Sequence, residues 1–152
     1  MEKQNKSSFK PILKFIMLGS PLLIYGLYQM FYGYKNKSIN YFNSTQIELT
    51  GVVKSKKLIS HGAGYICLDL KKTNHNYYNP SDSLKTYYCL ISNSKAILCE
   101  SGISTFNLGD IFIVSSKKDS CFLYNNQGIL KWGTTLSIPD WIESPKSFDL
   151  CK

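Results

Sequence analysis

Arginine is absent from this 152-residue sequence: all 18 basic side chains are lysine, against 10 acidic ones, for a net charge of +8. Arginine makes bidentate contacts to phosphate, guanine and carboxylate, whereas lysine acts as a point charge. A dedicated nucleic-acid reader is therefore disfavoured, and nucleic acid is not an expected partner. We expect the positive charge to affect mainly solubility and non-specific attraction.

Close pairs of metal-ligating residues are also missing. The nearest two of the five cysteines are ten residues apart and none forms a C-x-x-C pair; they are Cys67, Cys89, Cys99, Cys121 and Cys151. Structural zinc sites take their ligands in close pairs, so we predict no metal and no cofactor. Several of these cysteines lie in apolar runs typical of small buried hydrophobes. One or two disulfides are the alternative if the domain is exported.

No catalytic set is present in the sequence either. The two histidines, His61 and His75, fall in predicted loops, and the carboxylates are dispersed. Asp110, directly after Gly109, is predicted as a turn residue whose carboxylate accepts local backbone hydrogen bonds. The chain has no glycine-rich phosphate loop and no nucleophile elbow. We therefore predict a protein that is not an enzyme. A thiol-dependent enzyme is an alternative, and it requires an exposed cysteine of low pKa.

Charge is missing altogether from the twenty residues Phe15–Tyr34. A helix of this length spans about 30 Å, the hydrocarbon thickness of a bilayer. The preceding residues 1–14 carry four lysines and one glutamate, a net charge of +3. Tyrosine and phenylalanine cluster at the far end of the run, where amphipathic rings favour the headgroup layer. The sequence predicts a basic tail over residues 1–14 and a transmembrane helix over residues 15–34 that contacts membrane lipid.

Two other interpretations of the apolar run fit the sequence less well. A cleaved signal peptide needs a shorter apolar core and a small-x-small cleavage site, and no such site follows the run. A buried helix of a soluble domain would show a polar stripe. Four lysines precede the run and two, Lys35 and Lys37, follow it. The positive-inside rule then places the N-terminus in the cytoplasm and the rest of the chain on the periplasmic or extracellular side.

Apolar residues alternate with polar ones beyond a polar linker predicted over residues 35–46. Strands are predicted from residue 47 onward, with Gly51 at a bend or a close approach and Ile66, Leu68 and Leu70 facing inward. Further strands are predicted at residues 86–92, 111–114, 121–125 and 129–132, and residues 139–143 are predicted as a helical turn. An all-β domain over residues 47–135 and a C-terminal tail over 136–152 follow from this pattern.

The strand order and the Gly109-Asp110 entry into the fourth strand resemble small, membrane-anchored, exported OB-like domains of unknown function. The resemblance covers about residues 47–126 and implies a five-stranded, partly open barrel. A β-sandwich is the alternative fold. An OB-fold also leaves open a nucleic-acid or oligosaccharide binder, since that fold supports many functions.

Lysines and tyrosines of the first strands and the following loop define a candidate binding surface. Aromatic and basic groups in these places are what OB domains use to stack bases and hold phosphates, although a solvated lysine face with ordinary strand tyrosines has the same pattern. The residues are Lys54, Lys56, Lys57, Tyr65, Lys71, Lys72, Tyr77 and Tyr78.

Strand parity gives expectations for the cysteines. Cys67 falls on the more polar side of its strand, whereas Cys89 points inward. Opposite faces keep the two sulfurs apart, because a disulfide needs Cα atoms within about 7 Å. No Cys67–Cys89 disulfide is predicted, and Cys151 is expected to be the most mobile cysteine. The sequence as a whole predicts a single-pass, membrane-anchored protein with a small, outward-facing, non-catalytic β domain, used for binding an unidentified protein or other ligand.

Overall fold

The computed structural model describes residues 9–80, 87–139 and 142–152. Within these ranges the chain forms one long helix followed by antiparallel strands and short 3-10 turns. The elements are α1 (Phe9–Thr45), β1 (Glu48–Ser60), β2 (Ala63–Thr73), β3 (Tyr77–Tyr78), β4 (Cys89–Ser92), β5 (Lys95–Glu100), β6 (Ile111–Ser115), β7 (Ser120–Tyr124) and β8 (Leu130–Thr135), with 3-10 turns at Ile103–Thr105, Ser116–Lys118 and Asp149–Cys151. The prediction of an all-β domain after an N-terminal helix is confirmed.

Helix α1 is longer than the sequence predicts. The predicted linker over residues 35–46 is wrong, because the helix continues to Thr45. The chain divides into two compact units within this predicted linker: the first ends at Lys37, and the second is Ser38–Lys152. Tyr41 and Phe42, on the last helical turns, are buried in the second unit. Their packing stabilises a helix end whose asparagines and serines have low helix propensity.

The first unit exposes apolar side chains on all sides of α1. Leu22, Leu23 and Ile24 are 74%, 68% and 67% exposed. Successive helical residues point about 100° apart, so these side chains encircle the helix instead of forming one stripe. Across the described part of the chain, no helix has both the length and the apolar character needed to cross a membrane. The transmembrane segment of residues 15–34 stays a prediction.

A single eight-stranded sheet organises the described residues of the second unit, in the order β3-β4-β5-β2-β1-β6-β7-β8. The long strand β1 pairs with β2 along one edge and with β6 along the other. Among the described residues, β3 and β8 remain the two ends of the sheet order and do not pair with each other. The strands therefore do not close into the barrel that the sequence predicts.

Gly51 lies where the register of β1 against β2 shifts and the two strands approach each other closely. The β1–β2 register shifts between Thr50 and Gly51. A Cβ atom on Gly51 would lie 2.9 Å from the Cβ atom of Leu68 and 3.0 Å from the carbonyl oxygen of Asp69. The close approach predicted at Gly51 is thus confirmed, and it needs a residue without a side chain.

The main hydrophobic core lies on the side of the sheet that Ile66 and Leu68 face. Both side chains are fully buried, as the alternation of β2 predicts. The end of α1 lies across this core, where the Phe42 ring packs edge-on against Tyr88 with centroids 4.9 Å apart. The Ile138 amide donates to the Ser38 hydroxyl oxygen. The C-terminal region and the helix end therefore belong to the same unit as the sheet.

Local strand predictions agree with the structure over most of the described chain. Strand β6 and the β7–β8 hairpin form where the apolar runs and the turn at residues 125–128 place them. Residues 94–106, whose pattern fits either a helix or a strand, form β5 and a 3-10 turn. Three predictions fall partly outside the described residues: the basic tail over 1–14, the start of the strand over 86–92, and the helical turn over 139–143.

Candidate functional site

The outer face of the sheet is the side turned away from the main core. Directly opposed residues on antiparallel strands share a face, so the register of β1, β2 and β5 identifies which side chains lie there. Three strands contribute to this outer face: Ser55 and Lys57 of β1, Tyr65 and Cys67 of β2, and Ile97 and Cys99 of β5. Tyr65 and Lys57 belong to the candidate surface predicted from the sequence.

A C-terminal strap, defined here as residues 142–152, covers part of the outer face. Ile142 is buried in a small cluster with Ala63 and Cys99, and Tyr65 packs against this cluster. The Tyr87 amide donates to the Ser144 hydroxyl oxygen at 2.6 Å, and that hydroxyl donates to the Tyr87 carbonyl at 2.9 Å. This reciprocal pair joins residues 57 positions apart in sequence, so the strap is a tertiary element of the domain.

The last residues of the strap are held by a disulfide between Cys67 and Cys151, with Cα atoms 5.5 Å apart. The Ser55 hydroxyl donates to the Leu150 carbonyl, and the Lys95 ammonium donates to the Cys151 carbonyl at 2.9 Å. The expectation that Cys151 is the most mobile cysteine is therefore wrong. Strand parity cannot detect this contact, because the tail that covers the outer face has no period of its own.

The parity argument for the other cysteines is confirmed in part. Cys67 and Cys89 do not pair, and Cys89 lies in the main core. Cys67 is on the face opposite Ile66, but the strap buries it, so its predicted polar surroundings are wrong.

A cleft of about 410 Å³ lies between the strap and the outer face. The sheet contributes Lys57, Tyr65 and Ile97 to its lining, and the strap contributes Pro145, Lys146, Ser147, Asp149 and Leu150. The cleft therefore has two walls that come from opposite ends of the domain sequence.

The charge of the cleft is positive in balance. Lys57 and Lys146 bring two ammonium groups to it, and that of Lys146 forms an ion pair with Glu143 at 3.4 Å. The one carboxylate, Asp149, bonds to the Lys152 ammonium at 2.5 Å and accepts from the Ser147 hydroxyl at 2.6 Å. These two hydrogen bonds hold the pKa of Asp149 below its ordinary value, so it stays ionised and already compensated. The Tyr65 hydroxyl donates to the Glu143 carbonyl, which leaves the ring face and Ile97 as apolar lining.

The predicted binding surface does not form one patch. Lys57 and Tyr65 are directly opposed on β1 and β2. Lys71 and Lys72 are exposed at the far end of β2, six or more residues along the strand from Tyr65, which is about 20 Å at the rise of an extended strand. Tyr77 is exposed on the short strand β3, at the end of the sheet order. The structure thus brings only two of the eight predicted residues together in the cleft.

Three further residues of the predicted surface, besides Tyr65, have partners within the domain. The Lys56 ammonium donates to the carbonyls of Ile103 and Ser104, at 3.2 and 3.3 Å, and to that of Phe106. Lys54 forms an ion pair with Asp69 at 3.0 Å. Tyr78 is half-buried and packs against the main core. A lysine that donates to carbonyls at the end of a 3-10 turn is a capping group, because the last carbonyls of a turn lack partners in its own backbone ladder; the Ile103 carbonyl also accepts from the Phe106 amide.

The three free cysteines do not offer an activated nucleophile. Cys89, Cys99 and Cys121 are all buried. Burial raises the pKa of Cys99 to about 12 and raises the pKa of Cys89 and of Cys121 further. A thiol with so high a pKa carries almost no thiolate at neutral pH, and the thiolate is the reactive form.

Sequence analysis missed a buried carboxyl at the end of β5. Glu100 is 2% exposed, and the Tyr88 hydroxyl donates to its Oε1 atom. Burial raises the pKa of Glu100 to about 8, so the group is mostly protonated at neutral pH. The available signal was its place directly after the apolar run of residues 96–99.

Asp110 has the local role that the sequence predicts for it. Its Oδ2 atom accepts from the Asn107 amide at 2.8 Å. The same oxygen lies 2.7 Å from the Lys131 ammonium, and the Asp110 side chain is almost fully buried. The prediction of a turn carboxylate that accepts backbone hydrogen bonds is confirmed, with an ion pair that the sequence does not reveal.

Over residues 9–80, 87–139 and 142–152, no group of histidine, cysteine and carboxylate side chains is arranged to hold a metal ion. Comparison of the chain with protein-family models, curated proteins and solved structures finds no match.

Proposed function

We propose that this protein is a membrane-anchored binding module whose β domain faces the periplasmic or extracellular side and takes a small organic anion in the cleft. The observation that carries the proposal is the cleft itself, where two lysines and an apolar wall meet under a strap that is covalently attached to the sheet. The OB-like character proposed for the domain rests on the two neighbours of β1 and on the Gly109-Asp110 entry into β6.

The ligand class follows from the groups that remain available. Lys57 presents its ammonium group to the cleft, whereas Lys146 is paired with Glu143 and Asp149 with Lys152. The half-buried side chains of Tyr65 and Leu150 offer an apolar surface beside these charges. A ligand with one anionic group and a small apolar or aromatic body satisfies both features, since ligand sites combine apolar walls with a few polar groups that fix orientation.

Attachment to a membrane is proposed from the N-terminal unit. Four consecutive exposed positions of α1, residues 22–25, carry apolar or aromatic side chains around the whole helix. A helix with apolar side chains on all sides is suited to a lipid environment, because such a helix is otherwise buried in a large core. The uncharged run of residues 15–34 supports the same proposal, which does not rest on a spanning helix in the described structure.

Export of the domain is supported by two independent features. A disulfide that joins residues 84 positions apart persists in oxidising compartments and is rare in the cytosol. The excess of lysine before the apolar run favours a cytoplasmic N-terminus.

The membrane part of the proposal is tested by fractionation of the full chain. We expect it to remain in the membrane pellet after high-salt and alkaline washing, and reporter fusions at residue 152 to be active only outside the cytoplasm. Leu23→Lys combined with Ile24→Lys should release the chain, whereas Asn36→Lys, at an exposed polar position, should not. A soluble chain that begins near Lys35 would mean a cleaved signal peptide and would overturn the anchor.

The binding part is tested with a probe of the proposed class. 4-(Trifluoromethyl)benzoate carries a carboxylate and an aromatic body, and its 19F signal should broaden saturably when the full chain in nonionic detergent is added. Lys57→Gln should weaken this effect at least several-fold. The matched control is Lys71→Gln, which removes an exposed lysine about 20 Å along the sheet. Equal binding by both variants would place the ligand elsewhere and refute the cleft as the site.

A further inference from the structure

The cleft depends on a wall that only a few interactions hold in place. Residues 142–145 are attached by the buried Ile142 and by the hydrogen bonds of Ser144 and Pro145 to Tyr87. The remaining residues, 146–152, are attached covalently, through the Cys67–Cys151 disulfide. Besides the disulfide, they bond to the sheet through the Ser55 hydroxyl and the Lys95 ammonium, and the half-buried Phe148 ring packs against the core.

These contacts stabilise residues 146–152 by less than the entropy cost of ordering them. Lys95 is exposed, and a hydrogen bond to an exposed side chain contributes little net stability because water competes for it. Ordering seven consecutive residues costs backbone and side-chain entropy at each one. The exposed Lys95 bond, the half-buried Ser55 bond and the half-buried Leu150 and Phe148 side chains are few contacts against that cost, which leaves the covalent bond as the main attachment of residues 146–152.

The two sulfurs of the bond differ in access. Cys67 is 1% exposed beneath the strap, whereas Cys151 is half-buried. An external thiolate therefore has more access to the Cys151 side of the bond than to the Cys67 side. Cys99 lies on the same face, but it is buried under Ile142 and holds its proton, so exchange within the chain does not compete.

We propose that the Cys67–Cys151 disulfide is a redox switch that determines whether the binding cleft exists. The reductant is an exported dithiol protein. Its first thiolate attacks the Cys151 sulfur, a mixed disulfide forms, and Cys67 leaves as a thiolate that takes a proton. The second thiol of the reductant then attacks the mixed bond, releases Cys151 as a thiol, and closes the reductant's own disulfide. Two electrons pass to this chain, and residues 146–152 leave the outer face.

This inference deepens the proposed function and rests on it for the cleft, but the release of the strap end is measurable without any ligand. Hydrogen exchange of the full chain in nonionic detergent is followed by mass spectrometry, before and after treatment with dithiothreitol as the dithiol. We expect exchange of the Cys151 and Lys152 amides, which donate to the carbonyls of Phe148 and Asp149, to accelerate at least tenfold on reduction. Amides of residues 87–91 should keep their protection.

Matched variants separate the switch from general destabilisation. Cys151→Ser should exchange like the reduced chain without any reductant, whereas Cys121→Ser, in the main core, keeps the disulfide and should respond to dithiothreitol like the unmodified protein. Unchanged exchange over residues 146–152 on reduction would refute the switch. Loss of protection throughout β1 and β2 would also refute it, because the bond would then hold the whole domain.

Binding of 4-(trifluoromethyl)benzoate distinguishes failure of the switch from failure of the proposed function. If both hold, the oxidised chain binds the probe and the reduced chain does not. If the oxidised chain does not bind it while the strap end is still released, the proposed ligand class is wrong and the switch stands. If the probe binds equally in both states, the switch of the cleft is refuted.

Discussion

A buried carboxyl makes the stability of the β domain depend on pH. Burial raises the pKa of Glu100 to about 8, from an ordinary value of 4.5. The folded state therefore holds a proton that the unfolded chain releases between these two values. The stabilisation from this proton is complete below pH 4.5 and is lost as the pH rises through 8. Glu100→Gln removes the titrating group and keeps an oxygen that accepts from Tyr88.

The size of the effect follows from the two pKa values. Each pKa unit corresponds to about 1.36 kcal/mol. Integration from about pH 5 to about pH 8.5 gives a loss on the order of 4 kcal/mol in the free energy of unfolding of the unmodified chain. The glutamine variant lacks this loss. Placing an amide at this site costs about 1 to 3 kcal/mol at every pH. This cost shifts the whole curve of the variant's free energy of unfolding against pH, but its slope still differs from that of the unmodified chain.

Urea unfolding of the full chain in nonionic detergent measures this slope, with tryptophan fluorescence as the signal. Trp132 contributes to it, because its ring packs against Phe106 and Phe112. Tyr88→Phe is an informative companion: the Tyr88 hydrogen bond lowers the pKa of Glu100, so its removal should extend the decline to higher pH. A constant gap between the unmodified chain and Glu100→Gln from about pH 5 to about pH 8.5 would refute the reasoning.

Three further substitutions test the packing of the domain by thermal unfolding. Gly64→Ala should destabilise by about 3 kcal/mol or more, since its Cβ atom would lie 2.1 Å from a carbonyl oxygen of β1. Lys131→Met should cost about 1 to 3 kcal/mol by leaving the buried Asp110 carboxylate without its cation, and much less in an Asp110→Asn background. Ser144→Ala should cost about 2 to 4 kcal/mol through two lost buried hydrogen bonds, whereas the exposed Ser147→Ala should cost almost nothing.

Local periodicity accounts for most of the strands that the sequence predicts correctly. Side chains alternate between faces with a period of two, so Ile66 and Leu68 can be assigned to the core from β2 alone. The close approach at Gly51 is predictable on similar grounds, because an apolar strand that gives up a packing side chain usually does so where another backbone comes near. The end of α1 is not predictable, since asparagine and serine near residue 40 suggest a linker and only the burial of Tyr41 and Phe42 keeps them helical.

The candidate site cannot be predicted from local periodicity, for a physical reason. Period two determines which side chains point away from the core, but it does not determine what covers them. Tyr65 and Cys67 point away from the core as predicted, and a tail about 80 residues further along the chain then packs over them. The tail itself has proline, serine and few apolar residues, so no local pattern marks Ile142 or Ser144 as buried.

Local sequence also does not determine the role of a charged side chain. Lys56 and Lys57 are adjacent in sequence, yet one caps carbonyls of a 3-10 turn and the other faces the cleft. A lysine's role is fixed by the partners that the fold brings within hydrogen-bond distance. Those partners come from residues 103–106 in one case and from the strap in the other, and neither segment is close to β1 in sequence.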